Sequence, residues 1–215
     1  EIGGDLPAYG NVISGNTKGV DQGSGTHVAW LIGGVYGLSP DGDARCVSEH
    51  APQLVVAVDC GTSSVAEIAA LATQGVDVIV LDHHLGAETL PRALAVVNPN
   101  RQDEDGALAH LCAASVVFLM LVEANRLLRE GGESGPDLMA MLDLVALATV
   151  ADVAPLTGVN RALVRQGLKI MARRENLGLS ALADVSRLKR RPDVYALGFL
   201  LGPRSNAGGR IGDAA

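Results

Sequence analysis

The sequence predicts an α/β fold, in which a parallel β-sheet carries helices on both faces, and three observations lead to that prediction. Short runs of β-branched apolar residues alternate with stretches of helical periodicity. Two of these runs end in an acidic residue and are separated by one helical stretch, a pattern typical of a βαβ unit with parallel strands. Hydrophobic residues make up 48% of the chain but aromatic residues only 3%, which favours the aliphatic core of a helix-covered sheet.

The predicted strands and their first helix follow one another from residue 54. LVVAVD at 54–59 predicts a strand, and VAEIAALATQG at 65–75 predicts the helix after it. VDVIVLD at 76–82 predicts a second strand, and AVVNP at 95–99 predicts a third that a proline closes. Because parallel strands point the same way, the acids that end the first two strands are expected at one edge of the sheet.

Helical periodicity dominates the rest of the chain. CAASVVFLMLVEANRLLRE at 112–130 predicts a long helix that ends before two glycines, and PDLMAMLDLVALATVADV at 136–153 predicts another. NRALVRQGLKIMARR at 160–174 predicts an amphipathic connecting helix, and the glycine-rich segment LGPRSNAGGR follows at 201–210 as the start of a second domain. Residues 1–34 are rich in Gly, Asn, Ser and Thr without sustained periodicity, so loop or poorly specified structure is expected there.

Charge and cysteine usage limit the classes of function. A formal net charge of −7 at pH 7 argues against binding a polyanion by bulk attraction, so any nucleic-acid contact has to be local. Basic residues are concentrated in the last third of the chain, which suits such a local surface. Cys46, Cys60 and Cys112 are odd in number and form no CxxC pair, which indicates a reducing, cytoplasmic compartment.

Hydropathy and the two ends of the chain give further expectations. No run of 18 apolar residues occurs, and the first ten residues lack a basic segment followed by an apolar one, so neither a membrane span nor a signal peptide is expected. The chain starts without Met and ends in GRIGDAA, which predicts that it is a fragment of a longer protein.

Asp59 and the triplet Asp82-His83-His84 are the strongest functional candidates. Each follows a predicted strand, and ligands of parallel sheets bind outside the carboxyl ends of the strands. Carboxylate and imidazole groups suit Mn²⁺ and similar ions, and paired ions activate water against phosphodiesters. An acid after a strand is often only a helix N-cap, so the argument depends on the convergence of both groups at one edge. Together they predict a metallophosphoesterase.

Several strings of the sequence resemble the DHH phosphoesterase family. VIVLDHH resembles the signature that names the family, AVDCGTSS resembles the motif before it, and ALATVADVAPL is similar to the fourth motif. LGPRSNAGGR resembles the GPRxNAxGR motif of the RecJ branch, and YGLSP at 36–40 and LPRALAVVNPNR at 90–101 are also similar to that branch. The resemblance runs from about residue 35 to the C-terminus.

The resemblance implies roles for individual residues. Asp59 would bridge two metal ions, Mn²⁺ or Mg²⁺, and His83 and Asp152 would complete the shell of the second ion. Asp82 and His84 would support catalysis, with His84 near the scissile phosphate.

A second implied site binds phosphate. Arg204, Asn206 and Arg210 would hold DNA phosphates, because guanidinium groups bind phosphate bidentately, and Gly208 and Gly209 would let backbone N–H groups approach it. The alternative for this segment is a glycine-rich turn with solvated arginines.

The resemblance implies four parts in the chain. Residues 1–34 form the poorly specified segment, 35–158 the DHH catalytic domain without its N-terminal part, 159–180 the connecting helix and 181–215 the phosphate-binding segment. The implied activity is 5′ to 3′ exonuclease action on single-stranded DNA in repair and recombination, with a single-strand-binding protein as a partner that could recruit the enzyme.

Two alternatives stay open. One is a phosphodiesterase of short oligonucleotides or cyclic dinucleotides, as found elsewhere in the superfamily. The other is a catalytically impaired nucleic-acid-binding fragment, because the family's DxDxDG motif, whose acids hold the first metal, does not occur in the sequence. The nearest string, GVDQGSGTH at 19–27, has a single acid, so an incomplete first metal site is expected.

Overall fold

The computed structural model describes residues 10–14, 27–32, 52–86 and 88–205, and for the first two ranges it describes the backbone alone. The chain divides into two compact units, Glu1–Ala109 and His110–Ala215. The predicted class is confirmed, because the first unit contains a parallel sheet and helices follow it along the chain.

The first unit is built on a five-stranded sheet in which every neighbouring pair of strands is parallel. The strands lie in chain order, and one helix, α1, is described among them. Their bounds are β1 Gly10–Ser14, β2 His27–Ile32, β3 Leu54–Val58, β4 Asp77–Leu81 and β5 Ala95–Val97, with α1 at Val65–Thr73 between β3 and β4. The strands expected at 54–59, 76–82 and 95–99 are therefore confirmed.

The centre of this sheet is held by aliphatic side chains. Alternate residues of β3 and β4 pack with Ile68 and Leu71 of α1, and none of these core side chains is more than 5% exposed. β-Branched residues suit this position because their stiff side chains pack well on a pleated surface. The core cluster comprises Val55, Ala57, Ile68, Leu71, Val76, Val78 and Val80.

The expectation of loop for residues 1–34 is wrong at two segments. Gly10–Ser14 and His27–Ile32 are strands, and the second pairs along its length with β3, Val28 opposite Leu54 and Ile32 opposite Val58. β1 contains only two apolar residues, and the apolar run of β2 at 28–32 is followed by glycines and not by an acid, so neither repeats the pattern that predicted β3 and β4. Pairing with a neighbouring strand, which depends on distant residues, decides their conformation.

The second unit is helical in the part that the structure describes. The helices expected at 112–130, 136–153 and 160–174 are present, although the second begins as a 3₁₀ turn. The bounds are α2 Ala113–Glu130, the 3₁₀ turn Leu138–Met141, α3 Leu142–Ala151, α4 Gly158–Met171, α5 Leu177–Val185 and α6 Val194–Ala196, which continues through a π-helical turn, Leu197–Leu201, and helix at 202–205. Among these helices, none is long and apolar enough to cross a membrane.

Close packing of α3 against α4 depends on Gly167. A Cβ atom at this position would lie 2.1 Å from the carbonyl oxygen of Leu142 and 2.5 Å from the Cβ of Ala146. Both distances are shorter than van der Waals contact, and one of the atoms belongs to the backbone, so a side chain there would force the helices apart.

Gly167→Ala is therefore expected to lower the free energy of unfolding by about 2 kcal/mol or more, because overpacking outweighs the gain of about 1 kcal/mol in helix propensity. Gly178→Ala is the matched control, since Gly178 also lies in a helix but a Cβ there has its nearest neighbour at 3.6 Å. Urea denaturation of both variants provides the measurement. Equal stability of the two variants would contradict the close approach of α3 and α4.

Candidate metal centre

The carboxyl ends of β3 and β4 bring the candidate ligands together. Asp59 directly follows β3, and its N–H donates to the carbonyl oxygen of Leu81, the last residue of β4, at 2.9 Å. One potential ligand atom from each of Asp59, His83 and His84 lies within 4.8 Å of the other two. Within this group, Asp59 Oδ1 and His83 Nε2 are 3.1 Å apart. A single cation can therefore be reached by all three side chains.

The backbone at Asp59 has an unusual conformation. Its φ is +62°, in the left-handed region that few residues other than glycine adopt, with Asp and Asn among the more tolerant. Two residues later Gly61 has a φ of +107°, and a Cβ there would lie 3.2 Å from the methyl groups of Val80. The chain thus turns sharply out of the sheet and leaves the Asp59 side chain 41% exposed. Backbone strain of this kind is concentrated at functional sites in proteins.

Asp82 is buried and its carboxylate is fully occupied by donors. Its side chain is 2% exposed. Oδ2 accepts from the N–H and the hydroxyl of Thr62 at 3.1 and 2.7 Å. Oδ1 accepts from the N–H of His83 at 2.7 Å, from the N–H of His84 at 3.2 Å and from His84 Nδ1 at 2.7 Å. Asp82 therefore positions its neighbours and is not itself a metal ligand.

The hydrogen bonds of Asp82 also decide its charge. Burial alone raises the pKa of this carboxyl group, because it disfavours the charged form. The hydrogen bonds from Thr62, His84 and the backbone of His83 outweigh burial, and the net pKa lies below the ordinary value. Asp82 is consequently a carboxylate at neutral pH and an acceptor only.

The two histidines have different surroundings. Because a carboxylate only accepts, His84 Nδ1 carries a proton in its bond to Asp82, and Nε2 is left as the second ring nitrogen for a ligand or substrate. The His84 side chain is 61% exposed, whereas that of His83 is 17% exposed beside Asp59. The ring centroids are 4.5 Å apart. His83 therefore belongs to the enclosed part of the site and His84 to its open side.

Two side-chain amides that bind the backbone of the histidines were not predicted from the sequence. Asn98 donates to the Thr62 hydroxyl and to the carbonyl oxygen of His84, both at 2.8 Å, and accepts from the N–H of Asn100 at 2.8 Å. Asn100 donates to the carbonyl oxygen of His83 at 2.7 Å. Asn98 directly follows β5, as Asp59 and Asp82 follow β3 and β4, and this position after a predicted strand was the signal that could have revealed it.

The other predicted site residues belong to the second unit or lie outside the described residues. Asp152 is the C-cap residue of α3, in the second unit, and its N–H donates to the carbonyl oxygen of Ala148 at 2.9 Å. Arg204 is exposed in the helical stretch 202–205, where its Nη1 donates to the carbonyl oxygen of Leu200 at 2.8 Å. The remaining four predicted phosphate-binding residues lie outside the described residues: Asn206, Gly208, Gly209 and Arg210.

The donor set fits a divalent cation. Asp59 offers a carboxylate oxygen and the two histidines offer imidazole nitrogens, a combination accepted by Mn²⁺ and other first-row ions. The hydrogen bond from His84 to Asp82 is the outer-shell arrangement that orients a metal-binding imidazole. These residues could therefore hold a metal ion without rearrangement of the backbone.

Comparison with known proteins places the site in a family. The family described as DHH family, N-terminal domain, matches residues 10–149. The single-stranded-DNA-specific exonuclease RecJ of Salmonella typhimurium is 44% identical over 188 residues, covering 83% of this chain and 32% of that protein. RecJ of Thermus thermophilus is 36% identical over 173 residues, covering 78% of this chain and 24% of that protein. The chain thus spans about a third of the length of the first of these relatives and about a quarter of the second.

Solved structures agree with the sequence matches. A crystal structure of exonuclease RecJ bound to manganese aligns with a TM-score of 0.72 and 32% identity, over 88% of this chain and 47% of that one. Thermus thermophilus RecJ in complex with Mn²⁺ aligns with a TM-score of 0.68 and 31% identity, over 87% of this chain and 26% of that one. With the family's N-terminal domain matching from β1 to the penultimate turn of α3, the chain belongs to the DHH family.

Proposed function

We propose that this chain supplies the catalytic part of a metal-dependent exonuclease, which hydrolyses phosphodiester bonds of single-stranded DNA from the 5′ end in repair and recombination. The observation that carries the proposal is the convergence of Asp59, His83 and His84 within 4.8 Å at the carboxyl edge of the sheet. The RecJ proteins that resemble the chain are exonucleases specific for single-stranded DNA, and solved structures of such proteins contain Mn²⁺ or Mg²⁺.

In this proposal Asp59 and His83 hold the metal, and Asp152 is a further ligand on the strength of the family resemblance. Bound divalent cations supply Lewis-acid activation of water and of the phosphate ester at neutral pH. The chain's own contribution is to fix the ligands: the turn at Asp59 presents its carboxylate, and the network from Asp82 to Asn98 and Asn100 holds the backbone on which both histidines lie.

His84 is proposed to contact the scissile phosphate. Asp82 fixes the ring through Nδ1, and the side chain is 61% exposed on the open side of the site. When Nε2 carries a proton, it is a charge-assisted donor to a phosphate oxygen. Asp82 acts through His84 and is a positioning residue.

The phosphate-binding segment would bind backbone phosphates of the DNA strand. Arg204 is exposed and offers a guanidinium fork, and Asn206 and Arg210 would add donors, with Gly208 and Gly209 allowing the backbone to approach phosphate. The motif resemblance supports this part of the proposal.

The proposal is tested by the Mn²⁺-dependent release of nucleotides from a labelled single strand. We expect release from a long single strand, little from the same sequence as a duplex, and loss of release when the 5′ end is blocked but not when the 3′ end is blocked. Faster hydrolysis of dinucleotides or cyclic dinucleotides than of the long strand would favour the phosphodiesterase alternative.

The impaired-fragment alternative has a separate outcome. Binding of single-stranded DNA without Mn²⁺-dependent release, followed by recovery of release when a DxDxDG strand is placed upstream, would show that the first metal site limits this chain. The absence of that string from the sequence is the observation that favours this alternative.

The domain boundaries, cellular location and recruitment form part of the same proposal. The three cysteines of the sequence form no CxxC pair, a usage typical of a reducing compartment, which supports a cytoplasmic location. The RecJ resemblance supports recruitment by a single-strand-binding protein, and co-purification of the two proteins in the presence of nuclease-resistant DNA would test it. Residues 35–158 remain the proposed catalytic domain and 159–180 the proposed connecting segment.

A further inference from the structure

An exposed pair of aromatic rings lies at the start of the last helical segment. Tyr195 and Phe199 are four residues apart, and their rings stack with centroids 4.9 Å apart and planes 29° apart. Tyr195 is 57% exposed and Phe199 is 68% exposed. The hydrophobic core of the second unit includes Leu197 and Leu201, but neither of these two rings belongs to it. The face of Phe199 that is turned away from Tyr195 is therefore open to a planar partner.

One cationic side chain lies against this pair, and two more adjoin it in the sequence. The guanidinium carbon of Arg190 lies 5.9 Å from the centre of the Tyr195 ring, within the range of a cation–π contact. Arg190 also lines a cleft of about 210 Å³, together with Lys189 and Arg191. Arg190 pairs with Asp193 at 3.3 Å, but in the described part of the chain no carboxylate pairs with Lys189 or Arg191. Two positive charges without a carboxylate partner thus flank the residue that contacts the Tyr195 ring.

The combination of rings and charges indicates the chemistry of the partner. Aromatic rings and unpaired cations in one short segment suit the alternating bases and phosphates of a nucleic acid strand, and a base can stack on a ring only when it is unpaired. The chain carries a formal charge of −7, so a local basic patch is what a polyanion requires here. A protein partner that needs only an apolar face gains nothing from Lys189 and Arg191.

We infer that Tyr195 and Phe199 form a base-stacking platform for single-stranded nucleic acid, with Lys189 and Arg191 binding the adjacent phosphates. The inference rests on the proposed function for its substrate class and adds a binding surface that the proposed metal and phosphate-binding residues do not include. An unpaired base stacks on the exposed face of Phe199 and extends the array formed by Arg190, Tyr195 and Phe199. Stacking is tolerant of sequence, so the platform binds every base.

The test measures binding to a fluorescently labelled single strand of thymidylates by anisotropy, in EDTA so that no hydrolysis occurs. A second strand of equal length has abasic sites throughout. For the variant Tyr195→Ala/Phe199→Ala, we expect the Kd for the thymidylate strand to rise by roughly 5- to 150-fold, and the Kd for the abasic strand to stay unchanged. Tyr195→Leu/Phe199→Leu, which keeps apolar bulk but removes the rings, is expected to lose binding similarly.

Matched controls separate stacking and charge from general surface effects. Leu177→Ala/Val185→Ala removes two apolar side chains that are 83% and 77% exposed in the same unit, and binding is expected to stay at the wild-type level. Lys189→Ala/Arg191→Ala is expected to weaken both strands alike and to reduce the salt dependence, whereas Arg165→Ala/Lys169→Ala, exposed on α4, is expected to have less effect on both.

Several results would overturn the inference. The first three are wild-type affinity in both ring variants, an equal loss of affinity for the abasic strand, and no binding by the wild-type chain. The fourth is a change of oligomeric state or a large fall in melting temperature in the ring variants, which would show that protein covers the rings. The proposed function is tested separately, by the Mn²⁺-dependent release of nucleotides. If the wild-type chain releases nucleotides and the ring variants bind DNA normally, only the platform is contradicted. If the ring variants lose binding but the wild-type chain releases no nucleotides, only the nuclease assignment is contradicted.

Discussion

Replacing Asp59 by Asn is expected to lower Mn²⁺-dependent nucleotide release at least about a thousandfold, because loss of a charged metal ligand removes several kcal/mol of transition-state stabilisation. The fold should persist. The Asp59 N–H bond to Leu81 does not involve the side chain, and Asn tolerates the φ of +62° at least as well as Asp. We therefore expect the free energy of unfolding to stay within about 0.5 kcal/mol of the wild type.

Binding of Mn²⁺ gives the same variant a readout that does not depend on turnover. Saturating Mn²⁺ should raise the melting temperature of the wild-type chain and leave that of Asp59→Asn nearly unchanged, since a ligand stabilises only the state that binds it. Asp77→Asn is the matched control, because Asp77 is an exposed acid at the opposite, amino end of β4. A Mn²⁺ response equal in both variants would remove Asp59 from the metal site.

Asp82→Asn is expected to have the largest effect on stability, a loss of about 2–4 kcal/mol at neutral pH. The carboxylate accepts from Thr62 through one oxygen and from His83 and His84 through the other. An amide group must point its NH₂ at one of these sets of donors, which leaves buried N–H groups unsatisfied whichever way it is turned. Urea denaturation measures the loss, and the variant should also show weaker Mn²⁺ binding because the N–H of His83 loses the carboxylate oxygen that holds it.

Asp143→Asn is the control for removing a buried negative charge. Asp143 is 2% exposed, like Asp82, but burial raises its pKa, and its hydrogen bonds, including those from the N–H of Leu144 and from Asn176, do not compensate. A raised pKa means that the charged form destabilises the folded state, so Asp143→Asn should be neutral or stabilising, by up to roughly 1 kcal/mol at pH 7. The difference from wild type should shrink as the pH falls through the folded pKa towards the ordinary value of 3.8, where the wild-type carboxyl also becomes neutral. A stability loss at neutral pH equal to that of Asp82→Asn would contradict this assignment.

The central strands of the sheet could be predicted because their signal is local. β3 and β4 are continuous apolar runs bounded by an acid, and no other element explains such runs as well. β1 has only two apolar residues, and the apolar run of β2 is not bounded by an acid, so the pairing of these strands with their neighbours was needed to reveal them. Helix ends were predicted to within a few residues, because the capping groups and not the periodicity set the exact boundary.

The candidate metal ligands could be predicted from the sequence, but most of the residues that hold them in place through hydrogen bonds could not. Parallel strands dictate that residues after β3 and β4 meet, so Asp59, His83 and His84 could be placed together from sequence order alone. The position of Asn98 after β5 was a usable signal, but Thr62 and Asn100 could not be selected, because hydrogen bonds of side chains depend on three-dimensional packing. The roles of Asp152 and of the Arg204–Arg210 segment stay predictions based on family resemblance.

The hydrogen-bond network around Asp82 has a consequence for how the protein handles its ion. Thr62, Asn98 and Asn100 hold the histidine backbone through contacts that involve no cation, so the ligand geometry is preorganised. Chelation should then be reversible: stripping the ion ought to leave secondary structure intact, and adding it back ought to restore binding without a slow refolding step. This behaviour contrasts with small zinc domains, which lose their fold with their metal.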